Sequence, residues 1–301
     1  MLPMKNKEEV KRSYRREVVH GIGGVGKSTG LGVVSKNPLV LDFDNRWPSK
    51  LVGKADFPKF EQDYTGVLNI LNAILNEPSI TNDRIVIDTA TKLLGVVEDY
   101  VLARDCKGER EKYNAYGHGV KFLRQYFKEV LGLIDAIQAK HKVTVTFICH
   151  TKLADFKSIT SEAYKKATMD LPEGISDLLK QWADYIGYAW SETPVDKIKH
   201  TASGDSVRYI SFAENPSYDA KNSSDHKIAN RIRFDEEGTW AEVVFGQTQP
   251  LLKDLDTLLG KCSEEQRKVV EGLIESSGVR SLGVKALSEF IETGKQKLGV
   301  K

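Results

Sequence analysis

The sequence predicts an α/β fold: a mostly parallel sheet with flanking helices, a β-hairpin extension and a small helical tail at the C-terminus. Three stretches predict it. Gly21-Ile22-Gly23-Gly24-Val25-Gly26-Lys27-Ser28-Thr29 fits G-x-x-x-x-G-K-[ST], a turn that cradles phosphate between a strand and a helix. Arg84-Ile85-Val86-Ile87-Asp88-Thr89 is a β-branched run with a carboxylate at its tip, as in a buried parallel strand. Val143-Thr144-Val145-Thr146-Phe147-Ile148-Cys149-His150 repeats that pattern with a histidine at the end. Helical periodicities separate these strands, and such alternation builds a parallel sheet.

The phosphate turn comes first in the chain. Val18-Val19-His20 can end a strand, and Lys27 to Ser35 can form a helix. Glycines let the backbone curl so that successive N–H groups point inward at an anion, and the helix adds its positive end. Gly21, Gly23, Gly24, Val25, Gly26, Lys27, Ser28 and Thr29 are the expected nucleotide-binding residues. Lys27 would reach the β- and γ-phosphates of ATP, and the Ser28 hydroxyl would ligate Mg²⁺. Asn37-Pro38 stops the helix, because proline lacks an N–H and disfavours helix just before it. Leu39-Val40-Leu41-Asp42-Phe43-Asp44 reads as a buried strand ending in two carboxylates. Ligands gather at the carboxyl ends of parallel strands, which directs Asp42 and Asp44 towards the phosphate turn.

Further along, Val67, Leu68, Ile70, Leu71, Ile74 and Leu75 recur at helical spacing. Residues 104–117 are polar and read as an exposed loop. Leu123, Tyr126, Phe127, Val130, Leu131, Ile134 and Ile137 form the clearest amphipathic helix, a core-packing face. His150 ends the next strand; it is either an ordinary structural histidine or a group at the γ-phosphate. From Lys152 to Met169 cations interleave with aromatics: Lys152, Phe156, Lys157, Tyr164, Lys165 and Lys166. That mixture suits single-stranded nucleic acid, which offers phosphates and stackable bases, and it equally suits an ordinary surface loop. Leu178, Leu179, Trp182, Ala183 and Ile186 give another apolar face leading to a strand at Tyr188-Ala189-Trp190. Two hairpins are expected next, pairing Lys197–His200 with Val207–Phe212 and Arg231–Phe234 with Trp240–Phe245. Beyond Pro250, Ser263 and Gln266 make a capping box, followed by helical stripes at Val269–Ile274 and Val284–Ile291.

Three units follow: a basic lead-in at 1–16, the α/β domain at 17–248 and a helical appendage at 249–301. The 301 residues are 40% hydrophobic and 29% charged, the composition of a globular protein, and a net charge of +2 implies no particular partner. Cys106, Cys149 and Cys262 are too few and too scattered for a disulfide framework or a metal cluster. No apolar run approaches the roughly 18 residues of a membrane span, and residues 1–16 lack the apolar core of a signal peptide. A cytoplasmic protein without membrane partners is the expectation.

The ordered set of phosphate turn, Leu-Asp-Phe-Asp, Ile-Val-Ile-Asp-Thr, Phe-Ile-Cys-His and Ala-Asp-Tyr-Ile resembles the RecA-like core over roughly residues 17–245. More narrowly it resembles phage-encoded AAA-family proteins, including the Sak-type ATPases that assist single-strand annealing and recombination. The resemblance implies a Walker B role for Asp88, holding Mg²⁺ with Ser28, and a water-activating role for Asp44, where the family carries a longer glutamate. Asp42 would support that site from behind. It puts His150 where a polar residue senses the γ-phosphate, and the basic segment after it where such proteins touch DNA. Ala220-Lys221-Asn222 is similar to the start of a Lys-Asn-Arg element that reaches a neighbouring subunit's nucleotide, with Ser223 in place of the arginine. Lys221 would then act in trans within a homo-oligomer on single-stranded DNA, alongside single-strand-binding or other recombination proteins, in a host cytoplasm if viral. Two other function classes are carried. The ParA and MinD partition ATPases share Gly-Gly-Val-Gly-Lys-Ser-Thr, but their signature lysine is missing here and the first crossover is short. A nucleotide-binding regulator with negligible hydrolysis is the other.

Overall fold

The computed structural model describes residues 14–157, 162–196, 201–202, 205–224, 228–234, 238–245, 247, 249–279 and 282–298. In chain order the strands are β1 (Arg16–Gly21), β2 (Pro38–Asp42), β3 (Arg84–Asp88), β4 (Thr144–Phe156), β5 (Tyr164–Met169), β6 (Tyr185–Glu192), β7 (Val195–Asp196), β8 (Thr201–Ala202), β9 (Val207–Ser211), β10 (Lys221–Asn222) and β11 (Ile232–Arg233). The helices are α1 (Lys27–Val34), α2 (Tyr64–Asn76), α3 (Ala90–Arg104), α4 (Arg110–Asn114), α5 (His118–His141), α6 (Glu173–Trp182), α7 (Thr239–Val244), α8 (Gln249–Gly260), α9 (Glu264–Ser277) and α10 (Val284–Leu298). No helix among the described residues is long and apolar enough to cross a membrane.

The architecture is an α/β fold with a mixed, mostly parallel sheet flanked by helices, consistent with a RecA-like P-loop core. The sheet runs β11-β9-β6-β1-β4-β3-β2. Strands β2, β3, β4, β1 and β6 are parallel, while β9 and β11 extend the β6 edge antiparallel. Alternation along each strand sends side chains to two cores. Val18, Leu41, Ile85, Ile87 and Phe147 meet α2, α3, α5 and α6 on one face. Val19, Val40, Val86 and Ile210 meet α1 and α7 on the other. Every residue of β3 is buried, as its unbroken β-branched run requires of a strand covered on both sides. Helices α8 to α10 close around a separate cluster of Leu252, Leu255, Leu259, Ile274, Leu287 and Ile291. The capping box forms there, with the Ser263 side chain accepting from the Gln266 N–H and Gln266 Oε1 accepting from the Ser263 N–H.

Several sequence expectations change. Of the first expected hairpin, Lys197–His200 lie outside the described residues, and Val207–Ser211 pairs with β6, Ala189 opposite Ile210. From that position Ile210 and Phe212 join the α1-side core. Trp240–Phe245 is not a strand. Gly238 (φ 76°) opens helix α7, and Trp240, Val243 and Val244 are buried at i, i+3 and i+4. The polar stretch 104–117 contains the short helix α4, anchored by buried Tyr113. The segment Lys152–Met169 is a β-hairpin, not a loop: β4 runs on past the sheet and pairs antiparallel with β5 from Thr151 opposite Met169 to Phe156 opposite Tyr164.

Buried charge ties the strands together. Glu17 on β1 is buried against Arg84 on β3, accepts from Thr146 on β4 at 2.8 Å and pairs with Arg15 at 3.0 Å. Arg15 and Arg16 are therefore structural rather than part of a free basic arm. Arg15 lies 3.6 Å over the Phe245 ring, and Arg16 pairs with Asp135 at 2.8 Å. The remainder of the lead-in, 1–13, lies outside the described residues. His20, fully buried at the other end of β1, meets Thr151 Oγ1 at 2.9 Å through Nδ1 and the Asp219 carbonyl at 2.7 Å through Nε2.

Burial holds the His20 pKa down at about 4, against the opposing pull of Asp219. The unfolded chain, with a value near 6.5, takes up that proton first, so stability falls as pH drops from about 6.5 to about 4. Relative to wild type, His20→Gln should flatten the dependence of unfolding free energy on pH in that window by up to about 1.4 kcal/mol per pH unit. Urea melts across that range measure it, and equal slopes in the two proteins would rule out a neutral buried imidazole.

Candidate nucleotide site

The site is assembled where the parallel strands end. Gly21 closes β1 against the backbone of β6. A Cβ there would stand 2.3 Å from the Ala189 carbonyl oxygen, so only glycine fits. Gly26 is left-handed (φ 93°) and is the N-cap of α1. Unlike α2, capped by Asp63, and α3, capped by Thr89, helix α1 has no capping side chain. Its leading N–H groups are left for an external acceptor. Val25 is buried in the α1-side core and anchors the turn from beneath.

Lys27 is 6% exposed, and its ammonium donates to the Gly21 carbonyl at 2.8 Å and the Ile22 carbonyl at 2.9 Å. Burial pulls its pKa below the ordinary lysine value, with Asp88 and Asp44 among the groups opposing. The Ser28 hydroxyl donates to Asp88 Oδ2 at 2.7 Å. Asp42 lies level with Asp88 across the β2–β3 pair, but its carboxylate accepts the N–H groups of Asp44 (3.1 Å), Arg46 (3.4 Å) and Trp47 (3.1 Å). It shapes the loop that carries Asp44. Asp44 Oδ2 is 3.9 Å from His150 Nε2, and its Oδ1 is buried with no hydrogen-bond partner. Burial, aided by Lys27, lowers the His150 pKa although Asp44 opposes, which favours a neutral ring. The Asp88–Thr89 peptide is cis.

Lys27, Ser28, Asp44, Asp88 and His150 line one cleft with Gly23, Gly24, Gly26, Thr29 and Thr89, and two arginines join them: Arg46 and Arg208. Sequence reasoning missed both. Arg46 sits two residues past Asp44 and was within reach of a motif reading. Arg208 was not, because its approach depends on β9 pairing with β6. The donor set suits a nucleotide with Mg²⁺. Unclaimed helix N–H groups meet an anion, and a hydroxyl and a carboxylate are hard oxygen donors. Among the described residues no cluster of three or more His, Cys, Asp or Glu could hold a metal alone, and a Mg²⁺ shared with substrate phosphates requires none.

The remaining predicted residues lie elsewhere. On the β4–β5 hairpin, Phe156 and Tyr164 are 5.3 Å apart, with Lys166 over the Phe156 ring at 5.3 Å. Its lysines are largely matched by carboxylates: Lys165 with Asp155 at 2.7 Å, Lys166 with Asp219 at 2.9 Å and Lys152 with Asp170 at 3.6 Å. Lys157 is exposed at the end of β4. Burial alone would raise the Asp219 pKa, yet hydrogen bonds from Lys180, Thr168 and Lys166 bring it down to about 2. Lys221 pairs through β10 with the start of β6, away from the phosphate turn, and donates to the carbonyls of Lys180 (3.1 Å) and Ala183 (2.5 Å). It closes the C-terminus of α6.

Burial, with Asp42 and Asp44 nearby, pushes the Asp88 carboxyl up to about 6, while Ser28 and Lys27 pull the other way. A native value above the unfolded one means the cost of ionising Asp88 is absent below about pH 4 and complete above about pH 6. Asp88→Asn should therefore stabilise the nucleotide-free chain near pH 7.5 by about 3 kcal/mol, a gain that vanishes near pH 4. The same variant should lose Mg²⁺-dependent nucleotide binding. Denaturant midpoints at the two pH values, with a nucleotide titration, check both halves.

A family model described as an AAA domain matches residues 13–224. No curated protein matches the chain. Among solved structures, the chain is similar to the flagellar accessory protein FlaH from Methanocaldococcus jannaschii at 12% identity and a TM-score of 0.35, covering 72% of this chain and 83% of that one. The RadB recombinase aligns at 13% identity and a TM-score of 0.40, covering 74% and 89%. A type III secretion ATPase of pathogenic bacteria aligns at 14% identity and a TM-score of 0.34, covering 61% and 52%. The family match takes in the phosphate turn, both acidic strand ends and β6, and the chain belongs to this family of AAA domains, nucleotide-binding P-loop proteins.

Proposed function

We propose that the protein hydrolyses ATP at the turn between β1 and α1 and couples that reaction to single-stranded DNA held on the β4–β5 hairpin. The observation that carries the first half is the Ser28–Asp88 hydrogen bond beside a helix whose N-terminus has no cap of its own. When bound, Mg²⁺ would neutralise charge on the phosphate oxygens, held by Ser28 and Asp88. The amides of residues 23–29 and the Lys27 ammonium bind the phosphates and stabilise charge as it develops. Asp44, which lines the cleft with its Oδ2 3.9 Å from His150, accepts a hydrogen bond from the attacking water and orients it. Neutral His150 stands beside it as a donor or acceptor at the reacting end. An aspartate reaches less far than a glutamate, so turnover is slow without a partner.

The second half rests on continuity: the hairpin begins at Thr151, directly after His150. Phe156, 42% exposed, and Tyr164 offer stacking faces at its tip. Because Lys165 and Lys166 are already paired, stacking contributes more than phosphate neutralisation, and affinity should respond weakly to salt. Assembly of several copies along one strand, with recombination-type partners, fits this reading.

Lys27→Ala should abolish ATP turnover, and single-stranded DNA should raise wild-type turnover several-fold more than duplex DNA does. Phosphate-release assays measure both, with Phe156→Ala expected to remove the stimulation but not the basal rate. Normal turnover in Lys27→Ala would overturn the nucleotide assignment. Equal response to both DNA forms would overturn the single-strand assignment.

A further inference from the structure

We infer that Arg208 is a second phosphate-binding cation, supplied in cis by the antiparallel edge of the sheet. The inference rests on the nucleotide reading above. Arg208 lies on β9 opposite Ser191 of β6, and its carbonyl accepts from the Phe234 N–H at 3.0 Å beyond β11. Its backbone is thus fixed between two strands. Alternation puts its side chain on the face of Ile210, which packs in the same core as Val25 and Leu31 of the turn and α1. The guanidinium comes to rest on Gly26: its Nη1 is 3.0 Å from the position a Cβ on that residue would take.

Two features of that placement point to an anion. Among the described residues no carboxylate pairs with Arg208, although it lines the cleft with the phosphate turn. It also stands against the N-terminus of α1, the end the backbone dipoles make positive, where a cation disfavours the helix. A charge of the wrong sign for the helix is of the right sign for a phosphate between them. Asp88, Asp44 and His150 approach the turn from the β4, β3 and β2 side of β1, whereas Arg208 approaches from the β6 side. Amides of such a turn cradle the α- and β-phosphates, while its lysine reaches the β- and γ-phosphates. Arg208, on Gly26, therefore meets the α- and β-phosphates and binds ADP and ATP alike. Lys221, expected to serve a neighbour's nucleotide, has its ammonium on the carbonyls of Lys180 and Ala183.

The test is equilibrium binding of fluorescent ADP and ATP to the full chain with Mg²⁺. Arg208→Ala should weaken both nucleotides by the same factor, about 10- to 100-fold for one charge-assisted contact, and Arg208→Lys should recover part of it. The midpoint for denaturing the nucleotide-free chain should not fall in either variant, which separates lost binding from lost folding. Adding excess Lys27→Ala chain, which carries Arg208 but cannot hold nucleotide, should leave the affinity of Arg208→Ala unchanged. Restoration by that mixture would mean the arginine acts in trans. Affinities within twofold of wild type, or a loss for ATP alone, would each overturn the assignment. If wild type binds neither nucleotide, or Lys27→Ala binds as well as wild type, the nucleotide reading itself fails.

Discussion

Ser28, in the helix that follows β1, meets Asp88 at 2.7 Å although β1 and β3 are not neighbours. Strand β4 lies between them, its His150 level with Gly21 on one side and its Ile148 level with Asp88 on the other. The turn after β1 has to lean across the tip of β4 for the hydroxyl to reach the carboxylate. That lean is possible because Gly21 carries no side chain to collide with β6 and Gly26 can adopt a positive φ. A one-residue slip of β4 would turn every one of its side chains to the opposite face and carry the oxygen pair apart. The buried contacts among Glu17, Arg84 and Thr146 hold that register from the other end of the same three strands.

The carboxyl edge is electrostatically unfavourable when nothing is bound. Lys27 is buried with only carbonyls as donors' partners, Asp88 is buried beside two further carboxylates, and one Asp44 oxygen has no partner. The opposite edge is the reverse: Glu17 is paired with Arg15 and Arg84 and accepts from Thr146. Stability is concentrated at one end of the sheet and unsatisfied chemistry at the other.

Much of this was legible from spacing alone. The phosphate turn, the β-branched strand ending in Asp88 and the seven-residue stripe of α5 each carry a local signal that tertiary contacts only reinforce. What was not legible depends on long-range pairing. Trp240, Val243, Val244 and Phe245 are residue types that favour a strand, and the helical spacing of the buried ones outweighs that preference after Gly238. The β4–β5 hairpin was hidden because polar alternation at an exposed ribbon looks like a loop. Arg208 could not be placed at the turn without the pairing of β9 with β6, which no local pattern announces. Lys221 carried a motif likeness, but its distance from the turn follows from where β10 docks on β6.

Helix α1 begins on a glycine with no side chain to close it, yet it roots the turn and one of the two cores. An anion seated there does for α1 what Asp63 and Thr89 do for α2 and α3. Occupancy and folding are then coupled by mass action: each tenfold rise in ligand above its dissociation constant adds about 1.4 kcal/mol to the native state. Ligand supply would thereby become a component of the protein's own thermodynamic integrity, and depletion would register as loosening before it registered as lost occupancy.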